Sequence, residues 1–199
     1  MKAKPEESKE LTFLYTGKES IKDLIEIGEY SGIRQPCIFQ HAKGDKPIII
    51  GDYTKIGPCV KVGRSSKIWN HCNIYGKTDA PVIIGSSTQI GSYTEIKPNV
   101  KIGDNCRLQS YVFIPEGVTI RNNVFLGPRV TFTNDKHPDI IKTLNGSWKL
   151  EETVVKEWAA IGAGAIIGPG LTIGRAVIIG QGANVIGLKY LDKNEVHRN

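Results

Sequence analysis

One period governs this chain. An aliphatic residue recurs every sixth position at Ile50, Ile56, Val62, Ile68 and Ile74. The series resumes at Ile84, Ile90, Ile96, Ile102, Leu108, Ile114, Ile120, Leu126 and Phe132, and again at Val155, Ile161, Ile167, Ile173, Ile179 and Val185. All twenty positions hold Ile, Leu, Val or Phe, and a weaker lead-in runs through Ile27, Ile33 and Phe39. Period six fits neither an amphipathic helix at about 3.6 residues nor a free strand at about two, but it fits short strands joined by tight corners. The residue just after the aliphatic is often glycine, as at Gly51, Gly63, Gly91 and Gly127, and these glycines read as the corners. The fourth residue after it is mostly small or β-branched, as at Thr54, Ser66, Thr88 and Ala165. Three such units make one triangular turn, so Ile84, Ile102 and Ile120 stack, as do Ile96, Ile114 and Phe132, on turns ~4.8 Å apart. The expected fold is all-β: a parallel β-helix with aliphatic columns inside.

The interruptions set the organisation. Residues 1–24 read as an N-terminal arm with a short helix, 25–187 as the β-helix, and 188–199 as a short tail. Insertions fall at 40–47, 76–81 and 138–154. In the third, Leu144-Asn-Gly-Ser147 carries a hairpin-turn signal, so this loop is expected to project from the coil. Trp148, near its tip, is expected to pack on a neighbouring subunit or over a ligand.

A chain of 199 residues with 40% hydrophobic content suffices for one domain. Its net charge of +6 comes from scattered Lys and Arg without a helix-turn-helix, RNP or zinc-finger spacing, so nucleic acid is not an expected partner. The chain lacks an apolar run of about 18 residues, which argues against membrane insertion and for a cytoplasmic protein. Cys37, Cys59, Cys72 and Cys106 form no CxxC pair, and three of them sit on small-residue positions of the repeat. His41, His71, His137 and His197 are too scattered to form a metal-binding set, so no metal is expected; His71 reads as a structural or subunit-contact residue.

The repeat over residues 27–187 resembles that of the left-handed β-helix acyltransferases with hexapeptide repeats. Three segments narrow the likeness. Lys67-Ile-Trp-Asn-His-Cys-Asn-Ile74, Arg107-Leu-Gln109, and Val124-Phe-Leu-Gly-Pro-Arg-Val-Thr-Phe-Thr-Asn-Asp135 with Pro138 are similar to N-acetyltransferases acting on nucleotide-linked amino sugars for surface polysaccharides. Gly127-Pro128 followed by His137-Pro138 is instead similar to the maltose and galactoside O-acetyltransferases, whose base is that histidine. The resemblance implies a left-handed coil, acetyl-CoA as acyl donor, and a homotrimer with its active site between subunits. O-acetylation of a sugar or small acceptor is the alternative; a non-catalytic assembly subunit is a further one, prompted by Val185-Ile-Gly-Leu-Lys-Tyr190, which departs from the families' usual C-terminal ending.

Acetyl transfer needs a free lone pair on the acceptor, a group to take its proton, and donors for the oxyanion. His137, with an imidazole suited to neutral pH, is the candidate base, and Asn134 and Asp135 complete the catalytic set. Glu116 should stack one coil below Asn134; with Gln109 and Lys136 it is assigned to the substrate. Gly162, Ala163, Gly180 and Gln181 permit close approach of a pantetheine chain, with Arg175 for its phosphates.

Overall fold

A computed structural model describes residues 24–34, 36–41 and 44–192. The expected N-terminal arm, apart from Leu24, and residues 193–199 lie outside the described residues. The described chain coils into three parallel sheets of eight strands each. Sheet A runs from Ile25–Ile27 to Ile178–Ile179, sheet B from Gly32–Ile33 to Asn184–Val185, and sheet C from Cys37–Phe39 to Tyr190–Leu191. Ile102 pairs with Ile84 on one side and Ile120 on the other, and Ile96 with Ile114, as the period requires. All twenty aliphatic positions are at most 2% exposed. Burying each is worth about 1.5–3 kcal/mol, and in a fold with so little helix these columns are the main cohesive term.

The small positions do more than fill space. Thr54 Oγ1 donates to the Trp69 carbonyl at 2.8 Å, Ser66 Oγ to Gly85 at 2.7 Å, and Thr88 Oγ1 to Gly103 at 2.8 Å. Cys72 Sγ and Cys106 Sγ lie 3.2 and 3.1 Å from the equivalent carbonyls of Gly91 and Arg121. Cysteine thus stands in for serine at an inward-facing polar rung. Burial pushes the Cys72 thiol up to about 11.

The glycines after the aliphatic residues do stand at the corners, and what requires them there is space. Glycines directly after the aliphatic do not adopt the left-handed conformation; a Cβ on Gly91 would lie 2.4 Å from the backbone carbon of Gln109 in the next coil, so glycine is required there by close approach. The left-handed residue is two positions later. It is often not glycine: Asn99, Asn105 and Asn123 have φ of 55–60°, as do Ser65 and Ser87 at 55°. Asparagine tolerates this region better than most side chains.

Two expectations about the irregular segments are corrected. The segment after Phe132 contains a short helix, Ile140–Leu144, in place of a hairpin. Asp139 caps its N-terminus, and Asn145 and Gly146 close it, with the Gly146 N–H donating to Thr143 and φ at 70°. The Asn-Gly pair therefore supplies a helix C-cap, the other use of the same left-handed preference. The helix presents Ile140, Ile141 and Leu144 to solvent, while Trp148 is half-buried. At the other end, the coil does not stop at residue 187, because Tyr190–Leu191 pairs with Thr172–Ile173.

The prism has three edges, each joining two sheets. The insertion at 40–47 lies on the C/A edge, between Phe39 and Ile48. The other two interruptions, 76–81 and 133–152, both follow sheet B strands and precede sheet C strands, so both leave the coil on the B/C edge.

Candidate functional site

Between those two breaks, on the B/C edge, lies a cleft of about 290 Å³. Phe113, Pro98 and Pro115 give it an apolar floor, and Glu116 and Asn134 stand together at one end. Phe113 pairs with Thr131, a register that sets Asn134 one coil from Glu116. Tyr75, Lys77 and Lys97 line the other end. Sequence reasoning missed these three; the signal was the six-residue register itself, which puts Tyr75, Lys97 and Pro115 each one step past a sheet B strand.

Lys97 is held in place. Its Nζ donates to Glu95 Oε1 at 2.5 Å and to Tyr75 Oη at 2.8 Å, and lies 5.0 Å from the Tyr75 ring centroid. The hydrogen bond to Glu95, then the one to Tyr75, raises its pKa above the ordinary lysine value, so it is a fixed ammonium at neutral pH.

The root of the arm carries the remaining candidates. Asp135 Oδ1 accepts from the His137 backbone N–H at 2.9 Å, so this carboxylate fixes the turn instead of orienting the imidazole. Lys142 Nζ donates to the His137 carbonyl at 2.9 Å, tying helix to root. His137 and Lys136 are exposed, and neither lines the cleft. Gly117, beside Glu116, has φ of 85°, and Leu150 packs against it, so the arm's return limb is seated on the coil below.

The other assigned residues fall elsewhere. Gln109, Gly162, Ala163, Gly180 and Gln181 stack along the A/B edge, Gly162 directly against Gly180 and Gln181. Arg175 is on the C/A edge. One chain therefore brings Glu116 and Asn134 together, gathers the small-residue set on a second edge, and leaves Arg175 on the third. The A/B edge also holds an aromatic column that the sequence reading passed over apart from His71. Tyr30, Tyr53, His71, Tyr93 and Tyr111 all occupy the left-handed rung and stack at 4.6–5.0 Å with planes within 16°. Each lies three residues after a repeat aliphatic, so the column was written in the sequence. Above Tyr111 the rungs become Arg129, Gly164 and Gly182, and the edge turns from bulky to bare.

Among the described residues, no cluster of three His, Cys, Asp or Glu can hold a metal ion, and no helix is long and apolar enough to cross a membrane.

Residues 81–116 match the family model described as bacterial transferase hexapeptide (six repeats). No curated protein matches the chain in sequence. Among solved structures, it is similar to a UDP-N-acetylglucosamine acyltransferase from Campylobacter jejuni, at 16% identity over 81% of this chain and 64% of that one, with a TM-score of 0.45. It thus spans just under two thirds of that protein's length. It is also similar to a mutant of AntD, an N-acyltransferase from Bacillus cereus in complex with dTDP and coenzyme A, at 20% identity over 83% of this chain and 77% of that one, with a TM-score of 0.32. A putative acetyltransferase from Bacillus cereus aligns at 23% identity over 75% and 73% of the two chains, with a TM-score of 0.32. The matched segment is two turns of a parallel β-helix whose six-residue repeat continues on both sides of it.

Proposed function

We propose that the chain is an acetyl-CoA-dependent N-acetyltransferase acting on the amino group of a nucleotide-linked sugar, working as a homotrimer. The observation that carries this reading is the pairing of Glu116 with Asn134 in a cleft bounded by both breaks of the repeat on one edge. An acceptor amine held by the Glu116 carboxylate would present its lone pair toward the arm root, where Asn134 offers an amide donor for the oxyanion. His137 would take the proton that the amine loses as its C–N bond to the acyl carbon forms, and return it to the thiolate of coenzyme A that leaves as the C–S bond breaks.

The coenzyme set supports an assembly. Gly162 and Ala163 belong to the coil that follows the arm, and they sit on the A/B edge while the arm leaves the B/C edge. Chains packed side by side with parallel axes would set the bare edge of one against the arm of the next at one height. Exposed Ile140, Ile141 and Leu144 give that arm an apolar contact surface. O-acetylation is the second reading, favoured by His137, whose imidazole a hydroxyl acceptor would need more than a neutral amine would.

Isothermal titration with acetyl-CoA, followed by mass spectrometry of an acceptor panel, tests both. Absence of acetyl-CoA binding sinks both transferase readings, and the acylated atom separates them. The His137→Ala variant should lose ~100-fold in rate or more, as loss of a general base does; retention within about threefold removes His137 as the base. Light scattering should give a mass three times that of the chain, and a monomer overturns the assembly.

A further inference from the structure

The cleft is polarised along the coil axis, and acyl transfer uses only one end of it. Tyr75, Lys97, Pro115 and Thr133 each follow a sheet B strand, in successive coils. The level of Tyr75 and Lys77 is therefore two coils, ~10 Å, from that of Glu116, and three from that of Asn134. A carboxylate and an amide stand at one end, and two ammonium groups and a phenol at the other.

Donor bookkeeping defines that second end. Lysine has three N–H donors. Lys97 spends one on Glu95 and one on Tyr75, which leaves the third. Because Tyr75 Oη accepts from Lys97, its own hydroxyl proton is free to be donated. Lys77 is exposed on the rim, fixed at its backbone by mutual hydrogen bonds with Ala80 at 3.0 Å. The Glu95 carboxylate balances the charge of Lys97 but leaves its remaining N–H, and Lys77 has no ion pair among the described residues. Three donors, two of them on cations, fit an oxyanion, and the one carboxylate at this end, Glu95, is engaged by Lys97.

We propose that the Tyr75–Lys77–Lys97 end of the cleft is an oxyanion subsite, so that the acceptor is an acidic amino sugar carrying a phosphoryl ester or a carboxylate one to two coil steps, ~5–10 Å, from the group that is acylated, Lys97 lying one step and Lys77 two from Glu116. The proposal rests on the reading of this cleft as the acceptor site. Lys77 and the third N–H of Lys97 bind two oxygens, Tyr75 donates to a third or to a bridging ester oxygen, and Phe113 with the prolines supports the sugar ring.

Binding without acyl donor tests it. Glucosamine, glucosamine 1-phosphate and 2-amino-2-deoxyglucuronic acid would be titrated calorimetrically into the full chain. At least one acidic probe should bind tenfold or more tighter than glucosamine, and which one does identifies the oxyanion. Lys77→Gln and Lys97→Gln should each shrink that preference at least threefold, and the Glu95→Gln/Lys97→Gln pair, which restores local neutrality, should shrink it as much while melting like the parent. Equal binding of all three probes, no binding of the acidic ones at millimolar concentration, or a preference that survives all variants overturns the subsite. The failures are distinguishable: acetylation of glucosamine and its phosphate at equal efficiency overturns the subsite and leaves the transferase reading, whereas tight binding of the phosphate with no acetylation does the reverse.

Discussion

Replacing Gly117 by alanine probes the junction of coil and arm, and the geometry allows the cost to be divided. Gly117 has φ of 85°, a conformation that a Cβ makes unfavourable by ~1–2 kcal/mol. A Cβ there would also sit 2.9 Å from Leu150 Cδ2, so the leucine must shift, at about 1 kcal/mol for the movable end of a side chain. Gly164 supplies the reference: its φ is 70°, with no atom within 4 Å of the added Cβ. Gly164→Ala should therefore show the backbone cost alone, ~1–2 kcal/mol, and Gly117→Ala about 1 kcal/mol more. Urea unfolding with unchanged slopes measures both. A double-mutant cycle with Leu150→Ala isolates the second component, and the coupling should be close to 1 kcal/mol. If Gly117→Ala and Gly164→Ala cost the same and the cycle shows no coupling, Leu150 does not seat the arm. If both are neutral, the left-handed rung is wrong.

Other perturbations test other layers. Ile120→Ala removes part of a column that is 1% exposed and should cost ~2–5 kcal/mol, read from the shift in denaturation midpoint. Tyr93→Asn keeps a residue suited to the left-handed rung but deletes stacks of 4.6 Å on His71 and 4.8 Å on Tyr111; at ~0.5–1.5 kcal/mol per aromatic pair, stability should fall by about 1–2 kcal/mol. Stability should also fall with rising pH at the alkaline end. The Cys72 thiol is raised from 9.0 to about 11, so the unfolded chain loses its proton first, and stability declines as pH climbs through that window. Lys97, also raised, adds stability that is present below its unfolded value and lost as pH rises through the folded one. A thiol reagent at pH 8 should leave Cys72 unmodified in the native protein and label it after unfolding, and rapid native labelling would contradict its burial.

The interior was legible because every column position is constrained by the same requirement, so a misplaced polar residue at Ile96 or Ile120 would have broken the pattern. The left-handed rung was less legible. It accepts Asn, Ser, Tyr, His, Ala and Gly, as Asn105, Ser87, Tyr93, His71, Ala176 and Gly182 illustrate, and no single residue type marks it. The arm was misread where Asn145-Gly146 serves two turn geometries equally well, and the choice between them lay with Asp139, whose side chain caps the helix. Glu116 and Asn134 were found together because counting by eighteen gives their register directly. Tyr75 and Lys97 needed the same count carried across the insertion at 76–81, where the period shifts by four residues.

Why both breaks share an edge has a physical answer. A regular coil offers flat faces and narrow corners, and every turn resembles the last, so it has no concavity in which a small molecule can lose most of its water. Depth must come from departures from the repeat. A departure within a strand would interrupt ladder hydrogen bonds in the coils above and below, whereas one at a corner disturbs only a turn. Two corner insertions on different edges would give two shallow steps. On one edge they become opposite walls, with the intervening coils as floor: here Lys77 from the first break, Asn134 from the second, and Phe113, Pro98 and Pro115 between. The floor residues are prolines and an aromatic ring, which tolerate a corner and a strand face without needing hydrogen-bond partners of their own. The charged residues sit at the ends, where the walls admit water. Shortening the first insertion by joining Gly76 directly to Pro81 should therefore flatten the cleft while leaving the columns intact. It should abolish binding of an acidic amino-sugar probe with the unfolding midpoint little changed, and a variant that binds as before would show that the wall is not needed.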